Sequence, residues 1–571
     1  MNYAVEALRI GKEPVDLVEI DLDWITSATS AINADGTPCY DTPSTCDDPA
    51  ATIGTRTRRY HTTSQQPLRG LASYAAVESV SLGTETMQIG DGLSQFGQAT
   101  VQLRDWDDAD QLEDPHWSSR TYPRLASYWR RLIARNPYVQ GRAMRIRRGY
   151  RSDGRYDAVN FKTYTYLIRS LTGPRGSRVT LVGCSPLQLI NLNKAQVPAP
   201  TAWRLATDID DSQTTATLAT DTYDDGSDPA TGFVRVNDEV CTFSRSGATL
   251  SLTRGQRGTT ASQHGANDSI QLCLRYQSQS VDAILDDLLT LAGVDAAYIP
   301  AAEWSAEVDR WMPGFTVTDV LISEPTDVLD LVREVLAIVA GVMWWDAEAA
   351  ALQLRIIRPA LGQFAATWSD SRQIMQQIDR QVDIRDRISR ADVLMDLRTP
   401  VADAEMAISY RLRLIGRSSG AGATEHGSEQ VRIYASRWLD RNQISRALRA
   451  SITYAGMLRD GRISFDVAVP ASAATVGLAE VIRLQSRDLV DTTGQPKSVL
   501  AIVVRREERI GGSQFRYSLE FFPWEGRFIY LNDTTDPGAY ALATEAERDP
   551  GWYLSDTDGR LPGGDPPYLL G

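Results

Sequence analysis

Between Ser280 and Pro359 the apolar residues change their spacing twice, from strand-like alternation to a helical repeat and back. A chain that does this has to lay helices on sheet rather than continue one β-sandwich. Val281, Ile284, Leu285, Leu288 and Leu289 fall on one helical face, with Ser280 placed to cap the start and Gly293 to stop it. Val328, Leu331, Val332, Val335, Leu336 and Val339 repeat that face, with Thr326 as the cap candidate and Gly341 as the terminator. Val342-Met343-Trp344-Trp345, a polar-and-alanine turn, and then Leu352, Leu354 and Ile356 alternating with Gln353 and Arg355 predict a hairpin whose apolar face covers the second helix. The block is therefore expected to be two helices on a small sheet. Its apolar run from Leu336 to Trp345 follows Arg333 and Glu334 and is far short of the roughly twenty residues a membrane span needs.

Five cysteines in 571 residues are no disulfide scaffold, and an odd number leaves a thiol unpaired within the chain, so reduced or metal-bound cysteine is the expectation. The chain begins Met1-Asn2 with Glu6 and Arg9 close behind, which does not read as a secretory signal and predicts folding in the cytosol of its maker. With 42% hydrophobic and 23% charged residues the body is globular and long enough for several cores. Lys and Arg number 59 against 73 Asp and Glu, a formal charge of -14, which argues against wrapping nucleic acid by phosphate neutralisation but permits DNA to pass by.

Residues 15 to 22 alternate as a strand and lead into a turn-rich loop containing Cys39-Tyr-Asp-Thr-Pro-Ser-Thr-Cys46. Two cysteines at this spacing are compatible with free thiols, a disulfide or a shared metal, with the Thr and Asp side chains between them fixing the turn. Residues 70 to 104 alternate as sheet. Residues 198 to 276 read as an inserted β module, with turns at Asn237-Asp238 and Ser246-Gly247 and a charged turn from Arg254 to Thr260. No helical pattern follows that turn to make it a phosphate cradle, and Cys241 and Cys273 read as small core residues in strands. Gly416-Arg-Ser-Ser-Gly420 has the form of a nucleophile elbow but runs on into Gly-rich chain where a helix should begin. His61, His116, His264 and His426 make no two-histidine zinc spacing, and the acidic run Asp105, Asp107, Asp108 and Asp110 reads as a solvated loop or a cation-binding turn. Trp438, Ile444, Leu448 and Ile452 predict a helix within 436–457, and alternating segments at 463–467, 481–484, 499–503 and 515–521 predict a β-barrel or sandwich. Beyond Phe528 the periodicity fades, and the end is expected to dock on a neighbour or hang free.

The cysteine loop, the segment Val101-Gln-Leu-Arg-Asp-Trp106, Tyr128-Trp129, Ala134-Arg-Asn-Pro-Tyr138 with Gly141-Arg142, Tyr164-Thr-Tyr-Leu-Ile-Arg169 and Ser436-Arg-Trp438 together resemble the tail hub proteins of long-tailed bacteriophages, over roughly residues 15 to 525. The resemblance implies a virion part without catalytic function: a homotrimer at the tail tip or baseplate. It would meet the distal tail protein ring and the tape measure protein above and carry fibres or a spike below, around a channel through which DNA leaves. It implies an α+β, predominantly β fold, with an N-terminal barrel (1–150), central units with helices on sheet (151–197 and 277–400), the inserted module (198–276), a C-terminal barrel (401–530) and an extension (531–571). A barrel related to the first is expected within 280–400. Members often carry a further cysteine in the first strand, where this chain has Asp21-Leu-Asp-Trp24; Cys39 and Cys46 are the metal candidates, and an iron–sulfur cluster lacks a thiolate unless Cys184 supplies it. The rival readings are a carbohydrate- or peptidoglycan-cleaving enzyme, which needs paired carboxylates, and receptor binding by the inserted module.

Overall fold

Apolar residues at every second position make β1 (Pro14–Ile25), β2 (Ile53–Thr62), β3 (Tyr74–Leu82), β5 (Gln98–Arg104), β6 (Ala143–Tyr150), β7 (Phe161–Arg175) and β8 (Arg178–Cys184). They close a barrel in the order β1-β2-β3-β5-β8-β7-β6, antiparallel throughout except for the β2–β3 pair. Val18, Ile20, Leu22, Val101, Leu103, Met144, Ile146 and Leu181 fill it. The expected boundary at 150 is too early, because β7 and β8 must come round before β1 finds its second neighbour. This computed structural model describes residues 13–26, 31–47, 52–87, 89–94, 97–107, 113–114, 116–119, 127–151, 155–220, 222–224, 228–357, 364–417, 426–509 and 514–521. The fading end beyond Phe528, Asp108, Asp110 and Ser418 to Gly420 lie outside the described residues.

Between β3 and β5 the chain leaves the barrel. Its short strand β4 (Glu85–Thr86) pairs with β27 (Pro496–Arg509) of a second sheet, and the Met87 N–H donates to the Val504 carbonyl at 2.8 Å. Farther along, the Met343 N–H donates to the Gly92 carbonyl and the Ser94 N–H to the Met343 carbonyl. Gly92 sits at φ 76°, a left-handed conformation that suits glycine, and a Cβ there would press against Leu336 Cβ at 3.2 Å. Met87 and Ile89 end in the core of the second sheet, Leu93 in the core that the barrel shares with the central helices, bridged to Met343.

The central block holds three helices among the described residues, not two. Val281–Leu291 follows Ser280 and ends before Gly293 at φ 86°, as its spacing predicts. Ala301–Trp311 was not foreseen: its stripe is only Trp304, Val308 and Trp311, set among alanines and charges. Val328–Val339 is capped one residue later than expected, by Asp327, whose side chain accepts from the Leu329 N–H; Thr326 and Asp327 also form the two-residue strand β17 (Thr326–Asp327) against β9 (Gln196–Val197). The chain leaves that helix through left-handed Ala340, and Gly341 opens β18 (Gly341–Asp346). The hairpin of β18 with β19 (Ala351–Ile356) forms as expected, but it is a two-stranded ribbon of its own, separate from the pair β15 (Leu274–Gln279) and β16 (Val317–Ile322). Trp304 Nε1 donates to the Leu352 carbonyl at 2.9 Å, and Trp345 Nε1 to the Thr165 carbonyl of β7 at 3.0 Å, so the ribbon joins helix to barrel.

The inserted module is a five-stranded sheet, β10 (Thr215–Thr217), β11 (Thr231–Val236), β12 (Glu239–Ser246), β13 (Thr249–Thr253) and β14 (Ile270–Leu272), with its own core around Trp203, Val234, Phe243 and Leu250. Cys241 lies in that core, whereas Cys273 sits half-buried at the break between β14 and β15. Toward the C-terminus two sheets form where one barrel was expected. β20 (Ala366–Ser369), β21 (Asp379–Asp383), β25 (Arg462–Pro470), β26 (Val481–Val490), β27 and β28 (Gln514–Phe521) order as β20-β26-β27-β28-β25-β21. β22 (Arg390–Leu397), β23 (Tyr410–Arg417) and β24 (Val431–Ala435) make a three-stranded sheet with β22 central. The boundary at 400 therefore falls between paired strands. The described part of 280–400 is no barrel, because its strands are shared out among five sheets. The helix at Ile444–Met457 starts later than its sequence stripe, and Trp438 is buried ahead of it.

Leu336 is fully buried between the excursion and the Gly341 turn. Leu336→Asp is expected to lower the unfolding free energy by roughly 3 to 5 kcal/mol, the cost of an unpaired charge in a dry core, and denaturant titration of the full chain measures it. Unchanged stability would mean the stripe is not buried.

Candidate functional site

Cys39 and Cys46 are joined in a disulfide with their Cα atoms 4.8 Å apart, so of the readings open in the sequence the structure takes this one. The threonines fix the turn as expected: Thr45 Oγ1 accepts from the Tyr40 N–H at 3.2 Å and lies 2.7 Å from Thr42 Oγ1. The Asp41 carbonyl accepts from the Ile25 N–H at the end of β1, and the Ser44 hydroxyl donates to the Arg135 carbonyl. Arg135 also stands 3.9 Å above the Tyr40 ring, which pins the loop to the helix Tyr128–Arg135.

Cys39, Asp41 and Cys46 bring their ligand atoms within 4.8 Å of one another, the one such group among the described residues. Its two sulfurs are spent on each other. Reduced, it would offer two thiolates and a carboxylate, which suits a single soft divalent ion; four thiolates for an iron–sulfur cluster are not there. Cys184 is no member of the group: it is buried at the end of β8, where loss of solvent pushes its thiol up to about 12. Thiol titration of the unfolded, unreduced chain is expected to count three cysteines, and five after reduction. Cys39→Ser is expected to cost about 2 kcal/mol of stability through release of the loop.

The turn after β13 is held from inside the module. Glu239, with no exposed side-chain surface, accepts from Arg254 Nε and Nη2 at 2.7 Å each, from the Gly255 and Ser262 N–H groups, and pairs with His264 Nε2 at 2.9 Å. Burial pushes its carboxyl up, but Arg254, His264 and the two amides win and hold it at about 2. Charged neighbours therefore mark a staple here, and the turn is not a free cradle. The paired carboxylate stabilises the module fully above its ordinary value of 4.5, and that contribution is lost as pH falls through about 2. Hydrogen exchange across 231–253 in the full chain is expected to speed up over that window, and Glu239→Gln to flatten the dependence.

The remaining chemistry-bearing residues are dispersed. His61 is buried with Nδ1 2.9 Å from Ser73 Oγ, and its Nε2 has no partner to orient it as a base. His426 pairs with Asp460 at the surface, and the His116 N–H donates to Asp114. Asp105 is not a solvated loop residue: it is buried and accepts from the Trp129 N–H. What the sequence did not reveal is the polar knot beside it. Tyr60 and Tyr128 hydroxyls meet at 2.9 Å, Tyr74 and Tyr128 both donate to Glu113, Arg58 pairs with Glu113, and Trp106 stacks on Tyr128 at 4.2 Å. These residues lie up to about seventy positions apart, and no local pattern links them.

No family model matches the chain, and no curated protein matches it. Among solved structures, a tail protein from Neisseria meningitidis MC58 is 12% identical over 78% of this chain and 96% of that one, with a TM-score of 0.37. The 43 kDa tail protein of prophage MuSo2 from Shewanella oneidensis is 9% identical over 78% and 97%, also at 0.37. The E. coli c3393 protein, a type VI secretion component described as similar to the T4 tail proteins gp27 and gp5, is 9% identical over 88% and 92%, at 0.31. At these scores the likenesses fix neither a shared fold nor a shared role.

Proposed function

We propose that the chain is a structural protein of a phage-type tail, acting as the hub at its tip. The observation that supports this reading is convergence. Apart from Ser436-Arg-Trp438, the short segments that carry the sequence resemblance are scattered from Cys39 to Arg169, yet in the fold these meet on one barrel. Trp106 stacks on Tyr128, Arg135 caps the cysteine loop, and the Tyr164–Arg169 segment belongs to β7. Motifs that assemble in space are weightier than motifs that merely occur.

In this reading the hub is a homotrimer that meets the distal tail ring and tape measure protein above and fibres or a spike below. Its axial channel passes DNA, and a net charge of -14 suits a wall that does not hold phosphate by counterion release. No catalytic step is assigned to it. Electron microscopy and sedimentation of the purified full chain are expected to show three-fold particles with a central opening and no glycan-hydrolysing activity. A monomer that cleaves glycan would replace this reading with the enzyme one.

A further inference from the structure

Two features remain unused by the account above, and they lie at opposite ends of one stack of elements. The sheet β23-β22-β24 packs on the helix Ile444–Met457, that helix on Val328–Val339, that on Val281–Leu291, and the last on Ala301–Trp311. At the first end the face turned away from the stack can be read from the register. Ala391 and Gly416 are opposed and face inward, a Cβ on Gly416 striking Ser451 of the supporting helix, so Asp392 with its cross-strand neighbours Ile415 and Ile433 faces out.

That outer face is apolar and basic. Ile415 and Ile433 are 46% and 53% exposed, while Asp392 between them is fully covered by Arg390 and Arg413. Arg411 and Arg441 meet on Asp396, Arg390 also reaches Glu429, and exposed Arg398 lies alongside. Five guanidinium groups thus face three carboxylates. At the other end the two-helix layer is acidic: Asp282, Asp286, Asp295, Glu303 and Asp309 are exposed or half-exposed, and Arg310 is the sole cation within 281–311. Between those acids stand exposed Ala301, Ala302, Ala306 and Leu291, side chains with little or modest entropy to lose on contact.

We propose that the 281–311 helix layer of one copy docks on the β23-β22-β24 face of the next, head to tail. The two faces differ, so the contact is heterologous, and under the three-fold symmetry of the homotrimer reading it repeats around a ring. Charge selects a second copy as the occupant: in a chain of net charge -14, a basic face with exposed aliphatics is where another copy's acidic layer can approach without repulsion. The proposal rests on the homotrimer reading and adds its interface.

Sedimentation velocity on the full chain tests it with three variants. Ile415→Glu with Ile433→Glu cancels the basic excess of the sheet face while leaving the Asp392 pairs intact, and Glu303→Lys with Asp309→Lys removes the acidic excess of the helix layer, so that in the combined chain the new carboxylates face the new ammonium groups. Each is expected to raise the dissociation concentration roughly tenfold or more, and the chain carrying all four substitutions to recover association. Thermal unfolding checks that each variant is folded. The wild type needs no substitution for a second measurement: its association is expected to weaken between low and high salt. A folded variant pair that assembles as the wild type does, a combined chain that fails to recover, or salt-independent association overturns the interface. A wild type that is monomeric throughout overturns the homotrimer itself, so the two failures are told apart.

Discussion

The structure depends on one excursion of chain, residues 83–94, which leaves the first barrel and gives its backbone and side chains to two other bodies. Its β4 adds to β27, its Met87 and Ile89 enter the second core, and its Gly92 and Ser94 bond to both sides of Met343 in the central hairpin. Arg462 then reaches back to the Ile89 carbonyl, and Arg432 pairs with Asp91. Burial of two such side chains contributes on the order of 1.5–3 kcal/mol each, and the backbone bonds fix their register. Barrel, helices and second sheet are therefore one folding problem.

Several buried charges among the described residues hold elements together. Glu19 on β1 lies directly opposite Arg59 on β2 and Arg145 on β6, and bonds both together with Arg147. Glu239 staples the module turn, and Asp392 gathers two arginines on the outer sheet. Glu334 and Glu520 go the other way: burial pushes their carboxyls up, against the pull of Arg437 and Arg462 respectively. A raised carboxyl in a cleft is a usual sign of acid–base work, but Glu334 already accepts from Arg437 and from Trp438 Nε1. Its position at the seam between the helix Val328–Val339 and the segment after β24 accounts for it.

The cysteine loop shows how far a local motif carries. Its threonine-fixed turn was legible in the spacing, because Asx and hydroxyl turns are local hydrogen-bond chemistry. The pairing of its sulfurs was not, since free thiol, disulfide and metal all fit two cysteines at that separation. The composition pointed toward reduced or metal-bound cysteine, and the folded loop brought the two residues to bonding distance instead. The knot around Glu113 lay beyond sequence reading altogether, as Arg58, Tyr74 and Tyr128 reach it from different elements.

By itself the sequence determined the predominantly β class, the helices at Val281–Leu291 and Val328–Val339, the central hairpin and most strands of the inserted module. Those follow from the period of the apolar residues, which a single strand or helix imposes on its own chain. Only the tertiary structure decided that the barrel closes with β7 and β8, that β22 and β23 pair across residue 400, and that β4 belongs to a sheet formed four hundred residues later. Strand partners are chosen by which edges the folded surroundings leave free, and residues on an edge carry no mark of the partner they will meet.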